Sequence, residues 1–189
     1  MKTRQVPLLA ACLVVAWLLV GAVGDVLVPF PNLRMHGNTT MPLTLFLPLL
    51  PVAVLTAGLS NVPRMFEACV VRPVQVMDLG LCAAVIAASY MIGPLLGDAG
   101  LVAARNTTGY VGVALTARFL VGGYAAAAAP AGFAVSVALL GARPGVGIDT
   151  WAWPAAGPDD RVAAVIAAVA AGCGCLLLHR RQTRSPRST

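Results

Sequence analysis

Six nearly charge-free runs constrain this chain more than any other feature: residues 6–28, 41–60, 74–96, 101–120, 121–140 and 162–178. Each is close to the ~20 residues a helix needs to cross a hydrocarbon layer ~30 Å thick. No water is present there to accept or donate hydrogen bonds, so the backbone must satisfy itself and such runs fold as helices. The expected fold is therefore all-α: a polytopic integral membrane helical bundle of about six transmembrane helices, with both termini cytosolic. With 59% hydrophobic and 11% charged residues, the chain has too little polar surface to cover a soluble globule.

Lys2 and Arg4 precede the first run. Together with Leu8–Val20 and Ala22-Val23-Gly24 they satisfy the outline of a cleaved signal peptide. Apolar residues continue past Gly24 to Val28, which favours an uncleaved anchor. Pro29–Thr40 reads as a loop, and Pro42, Pro48 and Pro51 predict a kinked second span. Asp78 stands near the entry of the third run, and Gly97-Asp98-Ala99-Gly100 reads as a tight turn. Residues 101–120 are the ambiguous stretch, since Arg105, Asn106 and Arg118 shorten their apolar middle. They form either a span whose arginines snorkel to the two interfaces or an interfacial amphipathic helix that leaves five spans. Residues 141–161 are the longest polar connection, and their Trp151 and Trp153 are placed as interfacial anchors. Residues 179–189 form a basic cytosolic tail without core-forming side chains.

Charge placement favours six spans. With the N-terminus inside, Lys2, Arg4, Arg64, Arg72, Arg118, Arg180, Arg181, Arg184 and Arg187 fall in cytosolic segments, against Arg34, Arg105, Arg143 and Arg161 outside, nine against four. The formal charge of +6 thus reads as topology rather than as a nucleic-acid footprint. A polar elbow, residues 61–72, separates the second and third runs as a short cytosolic helix. Asn61 caps its start, Pro63 suits its first turn, and Pro73 disfavours helical geometry at Arg72. Met65, Phe66, Cys69 and Val70 share one face, while Arg64, Glu67 and Arg72 project toward the other.

The remaining motifs have ordinary explanations beside functional ones. The five cysteines lie mostly in apolar runs with no CxxC pair, and serve as small apolar side chains rather than metal ligands. Along the last run, Ala164, Ala168 and Gly172 form one row at four-residue spacing and Ala163, Ala167 and Ala171 a parallel one, as close helix packing requires. Asn38-Thr39-Thr40 and Asn106-Thr107-Thr108 are glycosylation-type triplets that read better as helix caps. Asp78 is either an interfacial acid solvated by headgroups or a member of a buried charge pair. No HExxH, GxSxG or GxxxxGK[ST] motif is present, and Glu67 has no second acid beside it, so no enzyme, metal or cofactor is expected.

The layout resembles the membrane subunits of ABC-type exporters, particularly compact actinobacterial permeases. The stretches that carry the resemblance are Glu67-Ala68-Cys69-Val70-Val71-Arg72-Pro73, Ala104-Arg105-Asn106-Thr107-Thr108-Gly109-Tyr110-Val111-Gly112 and Trp151-Ala152-Trp153-Pro154. The resemblance implies a plasma-membrane location in a bacterium and a separate P-loop ATPase subunit that grips the elbow through Arg64, Glu67 and Arg72. It also implies a homo- or heterodimer of membrane subunits. This chain is shorter than such permeases and lacks their long cytosolic N-terminal helix. A second reading, a non-transporting accessory or immunity protein, rests the same elbow on the inner leaflet as an interfacial helix.

Overall fold

A computed structural model describes residues 6–34, 37–60, 74–143 and 147–183. The elbow at 61–72, with Arg64, Glu67 and Arg72, lies outside the described residues, as does the tail beyond Thr183. The described residues form an α-helical bundle. Four stretches are long and apolar enough to cross a membrane: Val6–Val23, a window within Met77–Leu120, Gly123–Leu140 and Arg161–Leu178.

Helix α1 (Val6–Val23) stops five residues before the end of its apolar run. Pro29 and Pro31 lack the N–H groups to continue a helix. The chain instead extends into β1 (Leu27–Asn32), which pairs antiparallel with β2 (Gly37–Pro42), Leu27 opposite Pro42 and Phe30 opposite Thr39. The expected loop at 29–40 is thus a hairpin, because pairing gives Val28, Thr39 and Thr40 partners that a loop would leave to solvent. A 3-10 turn (Leu43–Leu45) follows, and α2 (Leu49–Ser60) starts only after Pro48. The prolines thus break the second run rather than kink it. At 12 residues α2 is ~18 Å long, short of the hydrocarbon thickness on its own.

Helix α3 (Val74–Ile92) ends in a 3-10 turn (Gly93–Leu96), and α4 (Gly97–Leu120) starts at once. The reversal therefore falls at 93–97, where Pro94 and a left-handed Gly97 (φ 68°) make the corner, and 97–100 is the first turn of α4 rather than a loop. Helix α5 (Gly123–Leu140) leads to a two-residue ladder, β3 (Ala142–Arg143) with β4 (Gly147–Ile148), then a 3-10 stretch (Thr150–Ala155). Helix α6 (Arg161–Thr183) runs past Leu178 into residues expected as tail. Arg180, Arg181 and Gln182 are good helix formers, and extending an existing helix costs far less than starting one.

The central helix carries buried polar residues along its middle. α4 touches each of the other five described helices, and its residues from Val102 to Gly112 are buried without a break. Leu18, Met91, Leu95 and Val165 point outward from the surrounding helices, which suits lipid. The approach of α6 to α4 is close: a Cβ placed on Gly112 would meet the Ala170 carbonyl and the Ala171 backbone nitrogen. Of the two small-residue rows, Ala163, Ala167 and Ala171 are buried, whereas Ala164, Ala168 and Gly172 are exposed. Both rows consist of small residues only, so it is the rotation of the helix that separates them.

Candidate functional site

The polar residues of α4 are distributed between two ends of the bundle. Near its start, Arg105 is 4% exposed, and its guanidinium donates from Nη2 to the Ala156 carbonyl (2.7 Å) and from Nη1 to the Gly157 carbonyl (2.8 Å). The Asn106 side-chain amide donates to the carbonyls of Pro154 (2.9 Å) and Thr44 (3.3 Å), and one turn later the Tyr110 hydroxyl donates to the Leu45 carbonyl (2.9 Å). Thr107 and Thr108 bond back to the carbonyls of Ala103 and Ala104, four residues earlier in their own helix.

The acceptors explain why these donors are there. Pro48 has no N–H with which to reach the Thr44 carbonyl four residues back, and the Leu49 N–H bonds to Phe46 rather than Leu45. The proline-broken stretch thus turns two carbonyls inward, where an unmet acceptor costs about 1–3 kcal/mol. Asn106 and Tyr110 meet them. The 3-10 stretch and the extended backbone after it expose Pro154, Ala156 and Gly157 in the same way, and Asn106 and Arg105 meet those. Asn106 therefore ties the two irregular segments to one another through α4.

Trp153 closes this seam from the α6 side. Its ring lies where any Cβ on Gly109 would stand, 6.0 Å from the Tyr110 ring and 5.9 Å from that of Phe133. It is buried, so it is a core residue rather than an interfacial anchor; Trp151, 39% exposed, retains a surface position. Arg105 does not snorkel, because the carbonyls of 156 and 157 offer it a partner inside the protein. The Asn106 triplet is neither a cap nor a modification site: it lies wholly buried at mid-helix. The Asn38 triplet lies in β2 rather than at a helix start. Asp78 is 3% exposed, so headgroups and water do not solvate it as an interfacial acid would be.

Over the seam, the hairpin and the connection after α5 are joined. The Leu33 N–H donates to the Leu139 carbonyl and the Asn32 amide to the Ala142 carbonyl. Asp149 accepts from Arg34 (2.6 Å), Arg143 (2.8 Å) and the Trp151 indole (3.1 Å). Loss of hydration alone would raise the Asp149 carboxyl, but the bonds from Trp151 and Arg34 and the charges of Arg143 and Arg34 outweigh it and hold it below the ordinary value of 3.8. A depressed carboxyl stabilises the folded arrangement fully above its unfolded value and loses that contribution as pH falls through the folded one. The ionic part of this junction should therefore weaken as pH falls below the ordinary carboxylate value, while the bonds to the Leu139 and Ala142 carbonyls remain. Spin labels at Leu33→Cys and Ile148→Cys should report a distance distribution that broadens there, and Asp149→Asn should show the broad distribution at every pH.

At the far end of α4, half-buried Arg118 donates to the Leu59 carbonyl (2.9 Å) in the last turn of α2. The seam was hidden in the sequence because Arg105 and Asn106 read as the edge of a span. The missing N–H of Pro48 is the signal in the sequence that an inward carbonyl needs a donor. No known protein family, curated protein or solved structure matches this chain.

Proposed function

We propose that the chain is the membrane-spanning, permease-like subunit of an ABC-type exporter in a bacterial plasma membrane. It crosses six times with both termini cytosolic and has no ATPase of its own. The nine-to-four distribution of basic residues supports that orientation. The observation that carries the reading is α4 itself. Arg118 holds the last turn of α2, immediately before the elbow, and Arg105, 13 residues or ~20 Å away along the same helix, holds the cap at 156–157. A separate P-loop ATPase gripping Arg64, Glu67 and Arg72 would displace the elbow, and a rigid α4 would carry that displacement to the opposite face. The transport path then forms between two membrane subunits, since the centre of this one is filled by α4.

One observation favours the non-transporting accessory protein. Nearly every polar group of α4 bonds to this chain's own backbone, as a rigid scaffold requires. Purification of the full chain from its host in mild detergent separates the two. A stoichiometric P-loop ATPase is expected, and Glu67→Lys should abolish its recovery without changing membrane insertion. Recovery of the chain alone, or an ATPase retained by Glu67→Lys, would count against the coupling role.

A further inference from the structure

Two polar atoms of the seam have no hydrogen-bond partner among the described residues: the Arg105 Nε–H, a donor, and Asn106 Oδ1, an acceptor. The Asn106 amide cannot be turned to cure this. Its nitrogen already faces two carbonyls, Thr44 and Pro154, and exchanging N for O would set oxygen against oxygen at both. The guanidinium feels the charge of Asp160 but makes no ion pair among the described residues. The ion pairs among the described residues belong to Asp149, and the Asp160 carboxylate accepts from the Val162 and Ala163 N–H groups at the start of α6.

The two atoms sit on consecutive residues that address the same four-residue stretch, 154–157. The carbonyls of Thr44, Pro154 and Ala156 each accept one bond from these side chains and keep a second lone pair, whereas Gly157 also accepts from the Asp160 N–H. Proteins seldom leave such groups unmet, and in structures generally a buried water meets them, typically with about three bonds to polar atoms. We infer that the seam binds internal water, accepting from the Arg105 Nε–H and donating to Asn106 Oδ1, with the remaining bonds directed at the carbonyls of Thr44, Pro154 and Ala156. No proton is transferred. The water completes the hydration shell of a guanidinium whose bonds go to carbonyls rather than to a carboxylate, and it makes the junction between the proline-broken stretch, α4 and residues 154–157 a hydrated one inside an apolar bundle.

The test uses the full chain in lipid nanodiscs, 15N-labelled at arginine and asparagine, with water-selective cross-relaxation read in the laboratory and rotating frames. Assignment comes from Arg105→Lys and Asn106→Gln. If either variant fails to fold, residue-pair labelling of Arg105 with Asn106 replaces it, since Arg–Asn is a single sequence pair here. The expected result is water cross-peaks at the Arg105 Nε–H and the Asn106 amide protons with opposite signs in the two frames, the signature of a bound water. Same-sign peaks, which report exchange with bulk solvent, would overturn the inference. So would the loss of water cross-peaks at Arg105 when the exposed Arg143 still shows them.

Discussion

Arg105→Met should destabilise the folded bundle by about 3 kcal/mol, the larger part of it at the cap. Two bonds from a charged donor are lost, each worth about 1.5–3 kcal/mol, and the buried Ala156 carbonyl loses its donor, whereas the exposed Gly157 keeps a bond from the Asp160 N–H. An opposing gain comes from removing a buried charge that makes no close ion pair, a gain that the nearby charge of Asp160 reduces. It is the smaller effect, because the acceptors are backbone and do not leave with the arginine. Arg105→Lys should recover only part of the loss, as one ammonium cannot reproduce the planar fork that reaches two successive carbonyls. Unfolding of the purified protein in graded denaturing detergent measures both. An unchanged midpoint for Arg105→Met would mean that the Ala156 carbonyl has another donor.

Gly112→Val should be at least as damaging. Overpacking in a core typically costs about 1–3 kcal/mol when side chains can shift. Here the obstructing atoms are the Ala170 carbonyl and the Ala171 nitrogen, main-chain atoms inside a helix, so relief requires α6 to move away from α4. That movement would also open the contacts of Ala163, Ala167 and Ala171. The folded fraction after extraction should fall severalfold, while Gly172→Val on the exposed row should behave as the parent, since a Cβ there meets nothing within 4 Å. Equal damage from both would place the α4–α6 contact on the wrong row. The same pair also measures any self-association through the exposed row, which would appear as a loss of dimer in Gly172→Val alone.

The parts of the fold legible in the sequence were those that depend on apolar length. Runs of about 20 residues gave helices at Val6–Val23, Val74–Ile92, Gly123–Leu140 and Arg161–Thr183 because solvent, rather than neighbours, dictates them. What local pattern could not supply was the direction a polar group faces. Arg105, Asn106 and Arg118 look like the borders of a poor span, yet two of them are bonded inside the bundle, because irregular backbone at 44–45 and 154–157 needs donors from another element. The hairpin at 27–42 was obscured by Pro29 and Pro31, which signal a loop unless a partner strand is known. Trp153 reads as an interface anchor until the absence of a side chain at Gly109 shows where its ring can go.

The claim on which the rest depends is that α4 is the buried centre of the bundle rather than a helix lying on its surface. Hydrogen–deuterium exchange of the intact chain in nanodiscs tests it directly. The amides of residues 102–115 should exchange as slowly as those of α6 from Ala163 to Ala171, with Arg105→Met accelerating the first turns of α4 before its last. Exchange of 102–115 at the rate of an interfacial helix, with α5 and α6 protected, would contradict it.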